Sequence, residues 1–127
     1  MQQTDPIVVI HNAVGGDAPF YELVDEFYKG VESDPILRPM YPQDLAEPKR
    51  KLALFLIQRS GGATTYSQER GHPRMRQRHM PFKIGTAERD AWLKNMFAAV
   101  DKVAAFAPHR EVLREYFADF ANFMMNH

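Results

Sequence analysis

Apolar positions recur with helical spacing along much of the chain. Between Asp17 and Val31, residues Phe20, Leu23, Val24, Phe27, Tyr28 and Val31 fall at i, i+3, i+4, i+7, i+8 and i+11, which predicts a helix with one buried face. Asp17 can cap its start, with Pro19 in the first turn, and Gly15-Gly16 separates it from a short helix ending over Asn12 to Val14. Pro35, Pro39, Pro42 and Pro48 leave room only for short turns between Ser33 and Pro48, one of them capped by Asp34 ahead of Pro35.

A second long helix is predicted over Glu47 to Ser60. Its six consecutive apolar residues, Leu52 to Ile57, would also fit a buried strand. Their Leu and Ala content and the flanking Lys49, Arg50 and Lys51 favour helix. Such a helix is apolar on nearly all sides, so it belongs at the centre of the fold and stops at Gly61-Gly62. Glycine and proline exclude a long helix from Gly61 to Gly85. Pro73 to His79 can make about two turns before Met80-Pro81, which sets Met75 and His79 at i, i+4 on one face. Thr86 is the predicted cap of a helix reaching about Phe106, with Arg89 at its third position and Ala91, Trp92, Met96, Ala99, Val100 and Val103 inward. After Pro108 a last helix, about His109 to Met125, turns Leu113, Tyr116, Phe117, Phe120 and Met124 to one side. The expected fold is all-α, four main helices in two pairs.

Composition narrows the function classes. The chain has 127 residues, the size of one domain with a core of its own. Sixteen Lys and Arg balance sixteen Asp and Glu, which disfavours a general nucleic-acid binder. There is no cysteine, so a disulfide framework, thiolate ligation and a cysteine nucleophile are all excluded. No run is long enough to span a bilayer, and the N-terminus lacks the basic leader and apolar region of a signal peptide. The default expectation is a cytoplasmic protein with no membrane partner.

The charge balance conceals a local excess. Arg70, Arg74, Arg76, Arg78 and Lys83 lie in one stretch that holds two histidines and no acid. It reads as a solvated basic face, as a phosphate or nucleic-acid site, or as a receiver for the carboxylates of a cofactor beside a histidine ligand. No stacking aromatics interleave it in the manner of a single-strand binder. No histidine pair has metal-ligand spacing, yet a single histidine suffices where a cofactor supplies the remaining ligands. His79, at the end of its short turn among Met75, Met80 and Phe82, fits that role best, although most lone histidines are structural. Tyr28, on a buried stripe, needs a hydrogen-bond partner, most simply a backbone carbonyl, and Trp92 reads most simply as a core residue.

Several runs together resemble the group II truncated haemoglobins: Thr65-Tyr66-Ser67, Arg70 to Arg76, Arg78-His79, Pro81-Phe82, and Glu88 to Leu93 at the matching distance. Phe27-Tyr28, Pro39 to Pro42, Leu52 to Leu56 and both glycine pairs agree. The match runs from about Ile10 to Val103, with about residues 1–9 as an N-terminal extension of a single domain. The resemblance implies a two-over-two helical sandwich, with a short pre-proximal helix and a long loop, around haem b. It implies His79 as proximal iron ligand and Tyr28, Tyr41 and Trp92 on the distal side. Leu52, Phe55, Met75 and Phe82 would contact the haem, and Arg78 and Lys51 would meet its propionates. Pro48 stands where the family usually has a small or polar residue at the mouth of the distal helix, so distal hydrogen bonding falls to the two tyrosines and the tryptophan. Arg59-Ser60 replaces a frequent aromatic pair.

The implied function is binding of oxygen, nitric oxide or carbon monoxide at a pentacoordinate iron, by a monomer or homodimer. The alternative on the same haem is a redox enzyme, a nitric oxide dioxygenase supplied by a reductase or a peroxidase-like catalyst. A haem-free helical interaction module is the third reading.

Overall fold

The computed structural model describes residues 5–127. Seven α-helices run in the order α1 (Ile10–Ala13), α2 (Ala18–Ser33), α3 (Ala46–Arg59), α4 (Thr65–Arg70), α5 (Met75–His79), α6 (Thr86–Lys102) and α7 (Arg110–Met124), joined by turns and short 3-10 segments. The expected all-α architecture is present. The pair α2 and α3 packs across the pair α6 and α7, with the α2–α6 and α6–α7 contacts most extensive. The predicted stripe of α2 is buried in full: Phe20, Leu23, Val24, Phe27, Tyr28 and Val31. Each large apolar side chain so buried contributes roughly 1.5–3 kcal/mol against entropy losses of comparable total size.

Local chemistry moves several boundaries. Asp17 does occupy the cap position of α2 but makes no capping bond. Its carboxylate instead takes His11 Nε2 at 2.6 Å, and the His11 ring stacks on Phe20. The cap of α6 is Gly85, not Thr86. Glu88 rather than Arg89 then stands at the third position, where Oε1 accepts from the Gly85 N–H at 2.7 Å. The same helix stops at Lys102 instead of Phe106. Val103 turns extended and fully buried, and a 3-10 segment, Ala104–His109, carries Phe106 edge-on to Phe20 at 5.3 Å. Inside the predicted loop, residues 65–70 form α4, anchored by buried Tyr66 and by Gln58 Oε1, which accepts from the Ser67 N–H.

The two departures at the end of α3 have structural answers. Ser60 is buried, with its hydroxyl on the carbonyls of Leu56 and Ile57 at 2.7 and 3.1 Å. Arg59 pairs with Asp5 at 2.8 Å and lies over the Tyr116 ring, so a cation covers the aromatic surface there. Pro6–Val9 forms a 3-10 turn that buries Ile7 in the core; residues 1–4 of the expected extension lie outside the described residues. At the α3 exit Gly61 adopts φ +100, and a Cβ there would collide with the Val8 carbonyl oxygen. Glycine is therefore required where the chain leaves α3 beneath the N-terminal turn.

Candidate functional site

A cavity of ≈ 320 Å³ opens between α3 and α5, within the range of small-molecule and cofactor sites. All ten residues proposed from the sequence line it: Tyr28, Tyr41, Lys51, Leu52, Phe55, Met75, Arg78, His79, Phe82 and Trp92. Pro48 lines it too, as do Met40, Pro42, Tyr66, Arg70 and Phe120. These last five were visible only indirectly, in the Pro39 to Pro42 and Thr65 to Ser67 runs, the basic stretch and the last apolar stripe.

His79 ends α5, where its Nδ1 meets the Met75 carbonyl oxygen at 2.6 Å. A carbonyl can only accept, so Nδ1 carries a proton, and in the neutral ring Nε2 is the nitrogen with the lone pair. That arrangement fixes the tautomer a metal ligand needs. The left-handed backbone of Arg74, φ 44 and ψ 47, turns the chain into α5.

Tyr28, Tyr41 and Trp92 come together in the same cavity. The Tyr28 and Tyr41 rings meet edge to face, centroids 5.4 Å apart. The Tyr41 hydroxyl is within interaction range of the Tyr28 hydroxyl and the Trp92 indole N–H. The group facing Tyr28 is thus another phenol rather than a backbone carbonyl. Trp92 is only partly buried, with one face on Phe27, Phe117 and Phe120. Burial is the main reason that the Tyr28 phenol rises far above its ordinary range and that Tyr41 is pushed up to about 12. Both therefore remain protonated donors at neutral pH.

The charged part of the lining is cationic. Lys51, Arg70 and Arg78 line the cavity, and no carboxylate does. Arg78 is fastened by Nε to the Pro73 carbonyl at 2.7 Å and by Nη2 to the Arg70 carbonyl at 3.0 Å, which leaves Nη1 for an incoming acceptor. Arg70 lies over the Tyr66 ring. A second groove of ≈ 580 Å³ lies beside α7 and shares Phe55, Met75 and Phe120 as walls. It has no histidine, and its three carboxylates, Asp5, Glu115 and Asp119, outnumber its one cation, Arg59, so it is less suited to an anionic group than the smaller cavity.

The bacterial-like globin family model matches residues 9–126. The chain belongs to this family. Within it, this globin groups with the group II truncated haemoglobins. It is 45% identical over 98 residues to the group 2 truncated hemoglobin YjbI of Bacillus subtilis, covering 77% of this chain and 74% of the relative. The solved hemoglobin of the thermophilic phototroph Chloroflexus aurantiacus superposes with TM-score 0.90 at 49% identity, covering 94% of this chain and 98% of the other. The truncated oxygen-avid haemoglobin of B. subtilis gives TM-score 0.87 at 41% identity, over 93% and 99% of the two chains. The two-over-two fold is thereby shown, and the family implies a haem cofactor and diatomic gas ligands.

The cavity of this globin suits a haem. Haem is an apolar plate with two carboxylates at one edge, and here a largely apolar lining carries three cations and no acid. Among the described residues no three His, Asp or Glu side chains converge to hold a bare metal ion. A single imidazole with a free nitrogen matches a cofactor that brings its other iron ligands with it. No described helix is long and apolar enough to cross a membrane.

Proposed function

We propose that this globin holds haem b with His79 as the protein's iron ligand and binds oxygen or another diatomic gas on the opposite face. The supporting observation is the protonated Nδ1 of His79, held at 2.6 Å by the Met75 carbonyl, with Nε2 free in the cavity that also holds Tyr28, Tyr41 and Trp92. Bound haem supplies a ferrous iron that accepts a diatomic ligand and passes partial negative charge to it. The chain's own residues do the rest. Tyr28, Tyr41 and Trp92 each carry a hydrogen to donate, so a ligand with partial negative charge meets two protonated phenols and an indole N–H. Leu52 and Phe55 exclude water, and Arg78 Nη1, Lys51 and Arg70 receive the carboxylates. The kinship with an oxygen-avid relative supports oxygen as the ligand.

Peroxidase-like turnover is less well served, because His79 is the only histidine among the lining residues and it is committed to the proximal role. Nitric oxide dioxygenation uses the same distal donors and is decided by kinetics. The direct test is haem titration of His79→Ala and His79→Gly beside the wild type. The wild type should take up one haem with an intense Soret band. His79→Ala should lose stable binding, and imidazole should restore it to His79→Gly. A normal five-coordinate spectrum in His79→Ala removes His79 from the iron.

A further inference from the structure

Helix α5 is five residues long, and a helix so short has little stability of its own. His79 is its last residue, and residues 80–85 that follow form neither helix nor strand. The placement of the imidazole therefore depends on what holds this turn from outside. Arg78 holds its N-terminal side; on the C-terminal side the holder is Asn126, in the segment beyond α7. Its Nδ2 donates to the Phe82 carbonyl at 2.7 Å and to the His79 carbonyl at 3.4 Å. Its Oδ1 accepts from the Ile84 N–H at 2.9 Å. The backbone N–H groups of Asn126 and His127 both reach the Ile84 carbonyl, at 2.9 and 3.3 Å. One primary amide thus serves three main-chain groups across the turn that follows His79.

We infer that Asn126 is a positioning residue for His79, setting the tilt and reach of the imidazole presented to the cavity; this rests on the reading that His79 binds iron. The residue type is specific. An amide offers donor and acceptor on one plane, whereas aspartate offers acceptors alone and would set negative oxygens against the Phe82 and His79 carbonyls. The neighbouring Asn122 supplies a control. It lies in the last turns of α7, ties that helix to α6 by accepting from Arg89 at 3.0 Å, and makes no hydrogen bond to the 79–84 turn.

The test uses the full haem-reconstituted chain as wild type, Asn126→Ala, Asn126→Asp and Asn122→Ala. Resonance Raman of the ferrous form reads the iron–histidine stretching band. Transfer of haem to excess apomyoglobin reads retention. Asn126→Ala should shift or split the band and speed haem loss about tenfold, from one to two hydrogen bonds. Asn126→Asp should act in the same direction, and it carries the test if the alanine variant does not fold, since it keeps the Ile84 bond. Asn122→Ala should leave the band in place. An unmoved band in the Asn126 variants, whether or not the melting temperature falls, overturns the inference alone. A wild type that binds haem without an iron–histidine band overturns the His79 reading and this inference with it.

Discussion

Replacing Tyr41 by phenylalanine removes one oxygen and keeps the ring that packs edge-on against Tyr28 at 5.4 Å. That oxygen lies beside the Tyr28 hydroxyl and the Trp92 indole; if it accepts from both, its own hydrogen is the one left for the cavity. A hydrogen bond to a partly charged acceptor is worth about 1.5–3 kcal/mol, and polarisation through a chain adds perhaps 10–30%. The released Tyr28 and Trp92 donors can turn toward the ligand and recover part of this. The net loss should then be about 1.5–2 kcal/mol, or roughly ten- to thirtyfold faster oxygen release. Stopped-flow displacement of oxygen by carbon monoxide at pH 7 measures it directly. Trp92→Phe should also speed release, but less so when Tyr41 is already phenylalanine, because part of its effect passes through the phenol. The double-mutant cycle should show coupling of at least about 0.5 kcal/mol. An off-rate within twofold of wild type in Tyr41→Phe, or strict additivity with Trp92→Phe, refutes that hydrogen-bond order.

Gly61→Ala should lower the unfolding free energy by about 2–4 kcal/mol, from left-handed strain plus the clash with the Val8 carbonyl. Urea unfolding measures it, and a loss below about 0.5 kcal/mol contradicts the assigned conformation. Alkaline stability follows from the buried phenols. Burial holds Tyr41 and Tyr116 at about 12 and Tyr28 higher, against about 10 in the unfolded chain. The folded state therefore keeps protons that the unfolded state releases. Stability should hold up to about pH 10 and fall from there toward pH 12. Urea midpoints taken with tyrosinate absorbance check this, and a midpoint that rises above pH 10 reverses the sign.

Legibility in the sequence tracked the length over which one rule operated. The stripe of α2 spans several turns, and each of its apolar positions is buried. The apolar run of α3 marked a central helix because part of it meets the core and Leu52 and Phe55 meet the cavity. The end of α6 was misplaced because Val103 and Phe106 continue the apolar pattern while the backbone has already turned extended at Val103. Helix α4 is too short for periodicity to show, having a single buried residue, Tyr66. In the cavity, the aromatic, histidine and basic positions were legible as residue types in matched runs. Asn126 was not, because its partners are main-chain groups 42 to 47 residues away and any side chain there leaves the same backbone behind.

The fastening of Arg78 to two carbonyls has a kinetic side. Its guanidinium is already ordered, so little side-chain freedom is lost when a carboxylate arrives. With Lys51 and Arg70 beside it and no acid on the lining, the mouth projects a positive field outward over roughly a Debye length, about 8 Å in physiological salt. On the proposed reading, such a field would draw an anionic plate in with its carboxylates leading. Added salt should therefore slow capture of the cofactor while scarcely changing its escape, which depends on the apolar wall and the imidazole.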